Sequence, residues 1–530
     1  MNEEIENALE YHQETKHSQM SVRLSNHYLD WNSKPNPFKF YTNIPSIPLP
    51  VDFPLPNLNV IAIKEARQII ALKNLKINTQ LLSSLLFFAS GITRQIKLPH
   101  GKYYMRTAPA TGALYPIESY IVSENIEGLQ AGVYHFCPGE FSLTKLRNGD
   151  YRQFLYEAAG FEQVIKNSPF TIILTSLAWR NAWKYQARSY RHWFWDSGVI
   201  VANLIATASS FGLDTKLIAG YIDKFVNDLL CLEENKEASI VLIPIGIGLS
   251  KQEPNQIQYP SKFVPNILPI SRGKEVEYDQ IWRLHNASSL NSPAEVHQWA
   301  NSIKLIQEIK ETKKHNAKLF SKKIETVLGN TQPLSDVILL RGSTRNFLRK
   351  PITFEQLSSI LYSISGATSS DFSEKKFFTD VYFIANDVDN IQKGAYFFNR
   401  MENSIDLLKG NIRRDISGYL CLEQSLFSDA SIVFYIMSNI KLILDKLGNR
   451  GYRLCQFQAG ILAGRIYLSA YNQKIGASGS TFYDDAVSDF FSPHAKNKDV
   501  MIAVGVGVPS YRSKPGRILA GKFSRDELLS

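Results

Sequence analysis

Lys184 to Arg191 read KYQARSYR, and 262 residues later Lys446 to Arg453 read KLGNRGYR. The lysines coincide, as do Arg188 and Arg450, Tyr190 and Tyr452, and Arg191 and Arg453. At the same spacing Gly198 falls on Gly460 and Asp223 on Asp485, while Tyr120, Gly132, Tyr134 and Phe136 fall on Tyr382, Gly394, Tyr396 and Phe398. Ser83 to Gly91 matches Ser358 to Gly366 at a spacing of 275, and Gly246-Ile247-Gly248 matches Gly505-Val506-Gly507 at 259. Four blocks in one order mean two copies of one domain, and a period this long is a tandem pair rather than a solenoid. Such copies can pack as a pseudo-symmetric dimer within one chain, with any site between them built from unequal halves.

At 530 residues the chain has room for the two copies and a connector. Hydrophobic content of 44% against 20% charged residues is that of a globular chain with a large core. Cys137, Cys231, Cys421 and Cys455 form no CxxC or zinc spacing, so no metal is expected and a reducing compartment is. The polar start Met1-Asn2-Glu3-Glu4 is unlike a signal peptide. The apolar run from Ala430 to Leu444 is interrupted by Asn439 and Lys441 and is too short to span a bilayer. These features predict a cytoplasmic protein without a membrane partner. The net charge of +10 is compatible with a phosphate-bearing ligand or an acidic peptide. The densest basic stretch, Lys313-Lys314 through Lys322-Lys323, is interspersed with Glu311 and Glu325 and reads as a solvated helix face rather than a nucleic-acid site.

The chain divides into an N-terminal segment (1–60), a first domain (61–250), a helical connector (251–330) and a second domain with a C-terminal tail (331–530). Tyr11 to Arg23 suits a helix, and the proline-rich stretch from Pro35 to Pro56 must be extended. In the first domain, strands are expected at 118–123 and 170–176 and a hairpin at 132–145. A long buried helix follows at 189–211, then a central strand at 239–248. The second domain repeats these at 380–385, 431–437, 452–471 and 499–506. Helical segments are expected in the connector near 277–286 and 294–326. The order implies an α+β fold without the strict alternation of a doubly wound sheet.

Several familiar sites are absent. Gly505-Val506-Gly507 and Gly246-Ile247-Gly248 both lack the third glycine of a dinucleotide-binding turn. Gly476-Ala477-Ser478-Gly479-Ser480 misses a serine-hydrolase elbow by one residue. No Walker loop or HExxH occurs.

Three segments remain. Arg341-Gly342-Ser343-Thr344-Arg345 offers two guanidiniums and a hydroxyl to a phosphate, helped by Arg512, Lys514 and Arg517 in the tail. Read alone, the pentapeptide fits an exposed capping segment as well. Its counterpart in the first copy, Ala66 to Ile70, keeps neither arginine nor serine in register, with Arg67 the one nearby cation. Arg106 to Pro116 contains Pro109, Ala110, Thr111 and Gly112, small residues that let backbone lie flat against a planar ligand; an ordinary loop would read the same. The second copy is 13 residues shorter here, since the spacing drops from 275 to 262, and its replacement, Ala367 to Glu374, has no proline. Lys184-Tyr185 can share a proton, the ammonium lowering the phenol's pKa and partial burial lowering the lysine's. The second copy has Lys446-Leu447. Surface decoration at a helix start is the plain alternative.

Together these segments resemble the nitroreductase superfamily, and within it the SagB/ThcOx-type dehydrogenases. Tyr11 to Ser18 through Leu29-Asp30-Trp31 resembles that family's opening segment, and Ala108 to Pro116 its flavin-facing loop. Trp183-Lys184-Tyr185 through Arg191 resembles its active-site Lys-Tyr motif. Arg341 to Arg345 resembles its FMN-phosphate motif, with glycine where a second arginine is common. Gly479-Ser480 resembles the segment whose backbone approaches the flavin. The resemblance implies a nitroreductase-like fold in two tandem copies packed as an intrachain pseudo-dimer. It implies FMN as cofactor, Lys184 and Tyr185 as catalytic residues, and Arg341, Ser343, Arg345, Pro109, Ala110, Thr111, Gly112, Gly479, Ser480, Arg512 and Lys514 as cofactor-binding residues. The activity implied is oxidation of a thiazoline or oxazoline to the azole in a peptide or peptide-like natural product. Partners would be a small-molecule or peptide substrate and peptide-modifying enzymes of the same pathway, on a monomeric pseudo-dimer or a homodimer. An NAD(P)H-dependent nitro or quinone reductase and a flavin-free scaffold subunit are the alternatives. Because the phosphate motif survives only in the second copy, and the loop and Lys-Tyr pair only in the first, one FMN per chain is expected.

Overall fold

The computed structural model describes residues 2–59, 76–98, 101–254, 257–308, 320–324, 332–373 and 377–529. Two antiparallel sheets carry the repeat. The first is ordered β1-β6-β5-β4-β7-β8, comprising β1 (Ser46–Pro48), β4 (Ile117–Ser123), β5 (Gly132–Cys137), β6 (Ser142–Asn148), β7 (Phe170–Leu177) and β8 (Glu237–Ile245). The second is ordered β9-β12-β11-β10-β13-β15-β14, comprising β9 (Phe320–Lys323), β10 (Asp380–Ala385), β11 (Gly394–Asn399), β12 (Ser404–Gly410), β13 (Ile432–Ser438), β14 (Gly476–Ser480) and β15 (Asp499–Gly507). The six strands of the first sheet correspond in order to six of the second, and β14 is an added edge strand where the first copy has isolated bridges from Thr215 and Ile218 to β8. Even the register shifts repeat, at Val133/Tyr134 in β5 and Ala395/Tyr396 in β11. The tyrosine at each shift donates its hydroxyl to the carbonyl four residues back, Gln130 and Gln392, at 2.7 Å in both. The hairpin of β2 (Ile92–Leu98) and β3 (Gly101–Arg106) stands apart as its own small sheet, and it occupies the place where the first copy is longer.

Two buried helices, Ser189–Ser210 and Arg450–Asn472, cross at the centre. They touch where the repeated glycines meet. A Cβ on Gly198 would lie 2.6 Å from the Gly460 carbonyl carbon, and one on Gly460 2.7 Å from the Phe194 oxygen, so only glycine lets the backbones approach this closely.

Around the crossing each copy grips the other. Arg188 and Arg191 bind Asp484 at 3.0 and 2.7 Å, and Arg450 and Arg453 bind Asp223 at 2.6 Å each. The structural partner of Asp223 is therefore Asp484, one residue before the Asp485 that the sequence spacing suggests, because both carboxylates open a short helix (Asp223–Leu229 and Asp484–Phe491). Burial alone would raise the Asp223 carboxyl, but Arg450 and Arg453 outweigh it and hold it down at about 2.

The repeat also extends beyond the matching blocks. Helix Glu6–Glu14 gives Arg191 the His12 carbonyl and the Thr15 hydroxyl, each at 2.8 Å. Helix Asp279–Ala287 leads to the equivalent groups, giving Arg453 the His285 carbonyl and the Ser288 hydroxyl at 2.7 Å. Residues 251–330, expected as helical connector, thus hold the counterparts of the N-terminal helix and of β1. The helix expected over 294–326 ends at Glu308 among the described residues, and Lys322 and Lys323 lie in β9 rather than on a solvated helix face. Within that basic stretch, residues 313–319 lie outside the described residues.

The termini exchange sides. Ala8 N–H bonds Asn449 and Lys16 pairs with Asp485 in the second copy, while Tyr11 packs edge-on between Tyr190 and Tyr452, 5.7 Å from each. The tail returns over the first copy: Arg517 N–H bonds the Thr93 carbonyl, and Arg525 pairs with Glu140 at 2.8 Å. No described helix is long and apolar enough to cross a membrane.

Candidate active site

Arg341 follows helix Leu334–Leu340 and points across the interface. Its Nε and Nη2 donate to the carbonyls of Thr107 and Arg106 at 2.8 and 2.7 Å. The guanidinium is buried, which lowers its pKa, and Nη1 has no hydrogen-bond partner among the described residues. Thr344 N–H bonds the Ala477 carbonyl and moors the segment to β14. Ser343 Oγ lies 3.4 Å from the Tyr467 hydroxyl, which accepts the Gly479 N–H at 2.6 Å. The Arg345 N–H donates to the Tyr511 hydroxyl at 3.0 Å. Its exposed guanidinium has no hydrogen bond or ion pair among the described residues. Gly479 is exposed, and an added Cβ would meet only ordinary contacts, the Tyr467 hydroxyl at 3.6 Å and the Ala503 carbonyl at 3.9 Å. Ser480 Oγ donates to the Thr481 carbonyl and accepts from Gln424 at 3.0 Å.

From the first copy comes the loop after β3. Pro109 and Ala110 help line a small cavity with Arg106, Tyr115 and Asp196. Thr111 donates its N–H to both oxygens of Asp196, at 2.9 and 3.1 Å, and its hydroxyl to one of them at 2.8 Å. Gly112 follows in the left-handed region at φ 64°, where a Cβ would lie 2.7 Å from the Tyr185 hydroxyl. Tyr185 ends helix Ala178–Tyr185 and packs edge-on to His192 at 4.6 Å. Burial, then the Asp196 carboxylate, push its phenol well above the usual range, and Arg345 pulls weakly the other way. Arg345 of the second copy is thus within electrostatic reach of Tyr185 of the first.

Two expectations need correction. Lys184 is exposed rather than partly buried, with its ammonium 5.4 Å from the Tyr185 ring centre. The Tyr185 phenol is raised rather than lowered, because desolvation outweighs the neighbouring cations. In the tail, Lys514 gives its carbonyl to Arg94, and the Arg512 side chain is exposed. Sequence reasoning missed Tyr467, Tyr511 and Asp196. The last had a signal, a lone acid inside the apolar pattern of a long helix.

On the opposite side of the pseudo-twofold, Leu447 is buried where Tyr185 stands in the first copy. Ala66 to Ile70, including Arg67, lie outside the described residues, as does Glu374 of the shortened loop. Two further cavities of about 530 and 680 Å³ share Trp179, Val276 and Tyr278, and the second reaches Trp183 and Gln186 on either side of Lys184-Tyr185. No metal-binding cluster occurs among the described residues, and all four cysteines are free and buried.

A sheet faced by a long buried helix, doubled about a helix crossing, is shared with a solved nitroreductase-like protein from Anabaena variabilis. That structure is 24% identical, matches 95% of this chain and 99% of its own, and superposes with a TM-score of 0.75. Residues 63–247 match the family described as the Nitroreductase family. That match lies within the first copy. The chain is 27% identical over 165 residues to a nitroreductase-like protein of Methanocaldococcus jannaschii, 31% of this chain and 78% of the relative. It is 29% identical over 142 residues to the microcin B17-processing protein McbC of Escherichia coli, 26% of this chain and 52% of McbC. It is 28% identical over 171 residues to the trifolitoxin-processing protein TfxB of Rhizobium leguminosarum, 31% of this chain and 46% of TfxB. The chain therefore spans about half the length of these two peptide-processing relatives.

Proposed function

We propose that this protein is an FMN-dependent dehydrogenase that oxidises an azoline-type ring, a thiazoline or oxazoline, to the azole in a peptide or peptide-like substrate. The observation that carries the reading is the meeting of unequal halves. Arg341, Ser343 and Arg345 of the second copy stand against Arg106 to Gly112 and Tyr185 of the first. The fit to FMN is chemical. The unpartnered Arg345 guanidinium, the remaining Arg341 Nη1 and the Ser343 hydroxyl suit a phosphate dianion. The exposed backbone at Gly479 and the flat Pro109-Ala110-Thr111-Gly112 loop suit a planar ring. When bound, FMN supplies the hydride-accepting chemistry.

This chain's residues would supply orientation and proton handling. Tyr185, held protonated at neutral pH, would first give its hydroxyl proton to water; the phenolate would then take the proton from the substrate carbon and return to the neutral phenol, and the Lys184 ammonium near the ring would stabilise the intervening negative charge. Arg341 both contributes to the phosphate site and ties the halves together. The kinship with McbC and TfxB, both named for processing peptides, supports a peptide substrate and peptide-modifying partner enzymes. One such site per chain follows, because the opposite side has Leu447. We further propose that each copy begins with its own N-terminal helix, Glu6–Glu14 and Asp279–Ala287, leaving 251–273 as the link.

Arg345→Ala tests the cofactor assignment without cutting the interdomain bonds of Arg341. Loss of one charge-assisted contact of about 1.5–3 kcal/mol predicts folded protein that retains flavin roughly tenfold to a hundredfold less tightly. Purified parent protein without flavin absorbance, or full flavin affinity in the variant, rejects the reading.

A further inference from the structure

Each long helix carries one polar side chain that anchors the loop of its own copy. In the first copy it is Asp196, which accepts the N–H and hydroxyl of Thr111. The residue 262 positions later is Gln458, whose side-chain oxygen accepts the Phe378 N–H at 2.8 Å and the Thr379 hydroxyl at 2.9 Å, while its amide donates to Ser373. The two positions do the same mechanical work, a carbonyl-type oxygen taking one backbone and one hydroxyl donor. The second copy does it with a neutral amide, so anchoring does not require a charge. A buried carboxylate without a counter-ion is costly where an amide serves. The acid is found only in the copy that carries Tyr185.

We propose that Asp196 is a positioning residue whose charge sets the proton affinity of Tyr185, a task beyond the loop anchoring that Gln458 performs in the second copy. The proposal rests on the reading of Tyr185 as the proton-transfer group. Asp196 holds Thr111, and a Cβ on the next residue, Gly112, would lie 2.7 Å from the Tyr185 hydroxyl, while His192, one turn before Asp196 on its helix, packs 4.6 Å from the Tyr185 ring. From that position the carboxylate raises the phenol's proton affinity, so that once ionised Tyr185 is the stronger base. The groups facing Asp196 are few. Tyr185 and Asn181 come from helix Ala178–Tyr185, and Arg106 and Tyr115 from either end of the anchored loop. Arg345 comes from the second copy through Tyr185, and His192 lies one turn back on the same helix. Burial holds the His192 imidazole well below its usual range and therefore neutral. Burial also pushes the Asp196 carboxyl up to about 7, against the lowering effect of the Thr111 bonds, so the charge switches near neutral pH. The step is a proton equilibrium only: below the midpoint Asp196 holds the proton, and above it the proton is in water.

The test places 3-fluorotyrosine at position 185 and follows its fluorine resonance with pH, in protein with and without flavin. The expected result is a single inflection near pH 7 that vanishes in Asp196→Asn, while the Asn variant stays folded, with a melting temperature no lower than the parent's and the parent's flavin content, as Gln458 predicts. In that variant the fluorophenol's own ionisation should move down by on the order of one pH unit. The low-pH limb of kcat/KM should be lost with the inflection. An absent inflection in the parent, or the same inflection retained in Asp196→Asn, overturns the proposal and leaves Asp196 an anchor like Gln458. Failure of the FMN reading is seen separately, as protein without bound flavin, and leaves the fluorine titration decisive.

Discussion

Gly198→Ala is the sharpest perturbation of the tandem architecture. The new Cβ would sit 2.6 Å from the Gly460 carbonyl carbon and the Ile461 nitrogen and 2.8 Å from the Gly460 Cα. Carbon atoms make ordinary contact at about 3.5–4.0 Å, so the two helices must part by roughly an ångström. All three obstructing atoms are backbone, so no side chain can rotate away. Overpacking of this kind costs about 1–3 kcal/mol, and parting the helices also weakens the flanking contacts along the crossing. Against this, alanine is about 1 kcal/mol better than glycine inside a helix. The net expectation is a loss of about 2 kcal/mol, read as a lower urea midpoint and faster hydrogen exchange in both long helices. Gly342→Ala is the control: its Cβ would find only the Tyr471 hydroxyl, at 3.8 Å, and stability should be unchanged. Gly460→Ala should resemble Gly198→Ala, and the double variant should cost less than the sum, because one separation accommodates both methyls. A Gly198→Ala protein as stable as the parent would refute the claim that glycine is needed at the crossing.

Asp223→Asn leaves Arg450 and Arg453 buried without their counter-charge and should cost about 3–5 kcal/mol in urea unfolding; a loss under about 1 kcal/mol would mean that the clamp is dispensable. Asp196→Asn should gain stability over the parent as pH rises. The folded carboxyl titrates near 7 rather than 3.8, so the folded parent binds an extra proton between those values and loses stability from about pH 4 to 7. The amide has no such loss, and the gap at pH 8 should be on the order of 2–4 kcal/mol; parallel stability curves from pH 4 to 8 would contradict the sign. Co-expressed Arg341→Ala and Tyr185→Phe chains should stay inactive, since one chain supplies both halves of its site; restored activity in the mixture would point to sites shared between chains.

Much of this was legible because repeated residues at fixed spacing share tasks. Gly198 and Gly460 meet at the crossing, Tyr134 and Tyr396 each bond the carbonyl four residues back, and the paired arginines each reach a carboxylate in the other copy. The extra length of the first copy became the hairpin of β2 and β3. The equivalence of helices Glu6–Glu14 and Asp279–Ala287 was not legible. Their shared contributions to the arginines include backbone carbonyls, which any residue provides, and Thr15 and Ser288 exchange one hydroxyl for another.

The sequence by itself determined that two copies exist, and that Arg341-Gly342-Ser343-Thr344-Arg345 occurs in the second copy alone and Lys184-Tyr185 in the first alone. Side-chain identity and spacing along the chain carry those facts directly. Tertiary structure alone decided that Arg341 spends two donors on the Arg106 and Thr107 carbonyls, and that Arg345 rather than Lys184 comes from across the interface to influence Tyr185. It also decided that Asp196 and Gln458 do one mechanical job with different charge. These depend on distances between residues that the fold brings together from 79 or more positions apart in the chain, and on burial, which sets how strongly a charge is felt. No local pattern encodes either quantity.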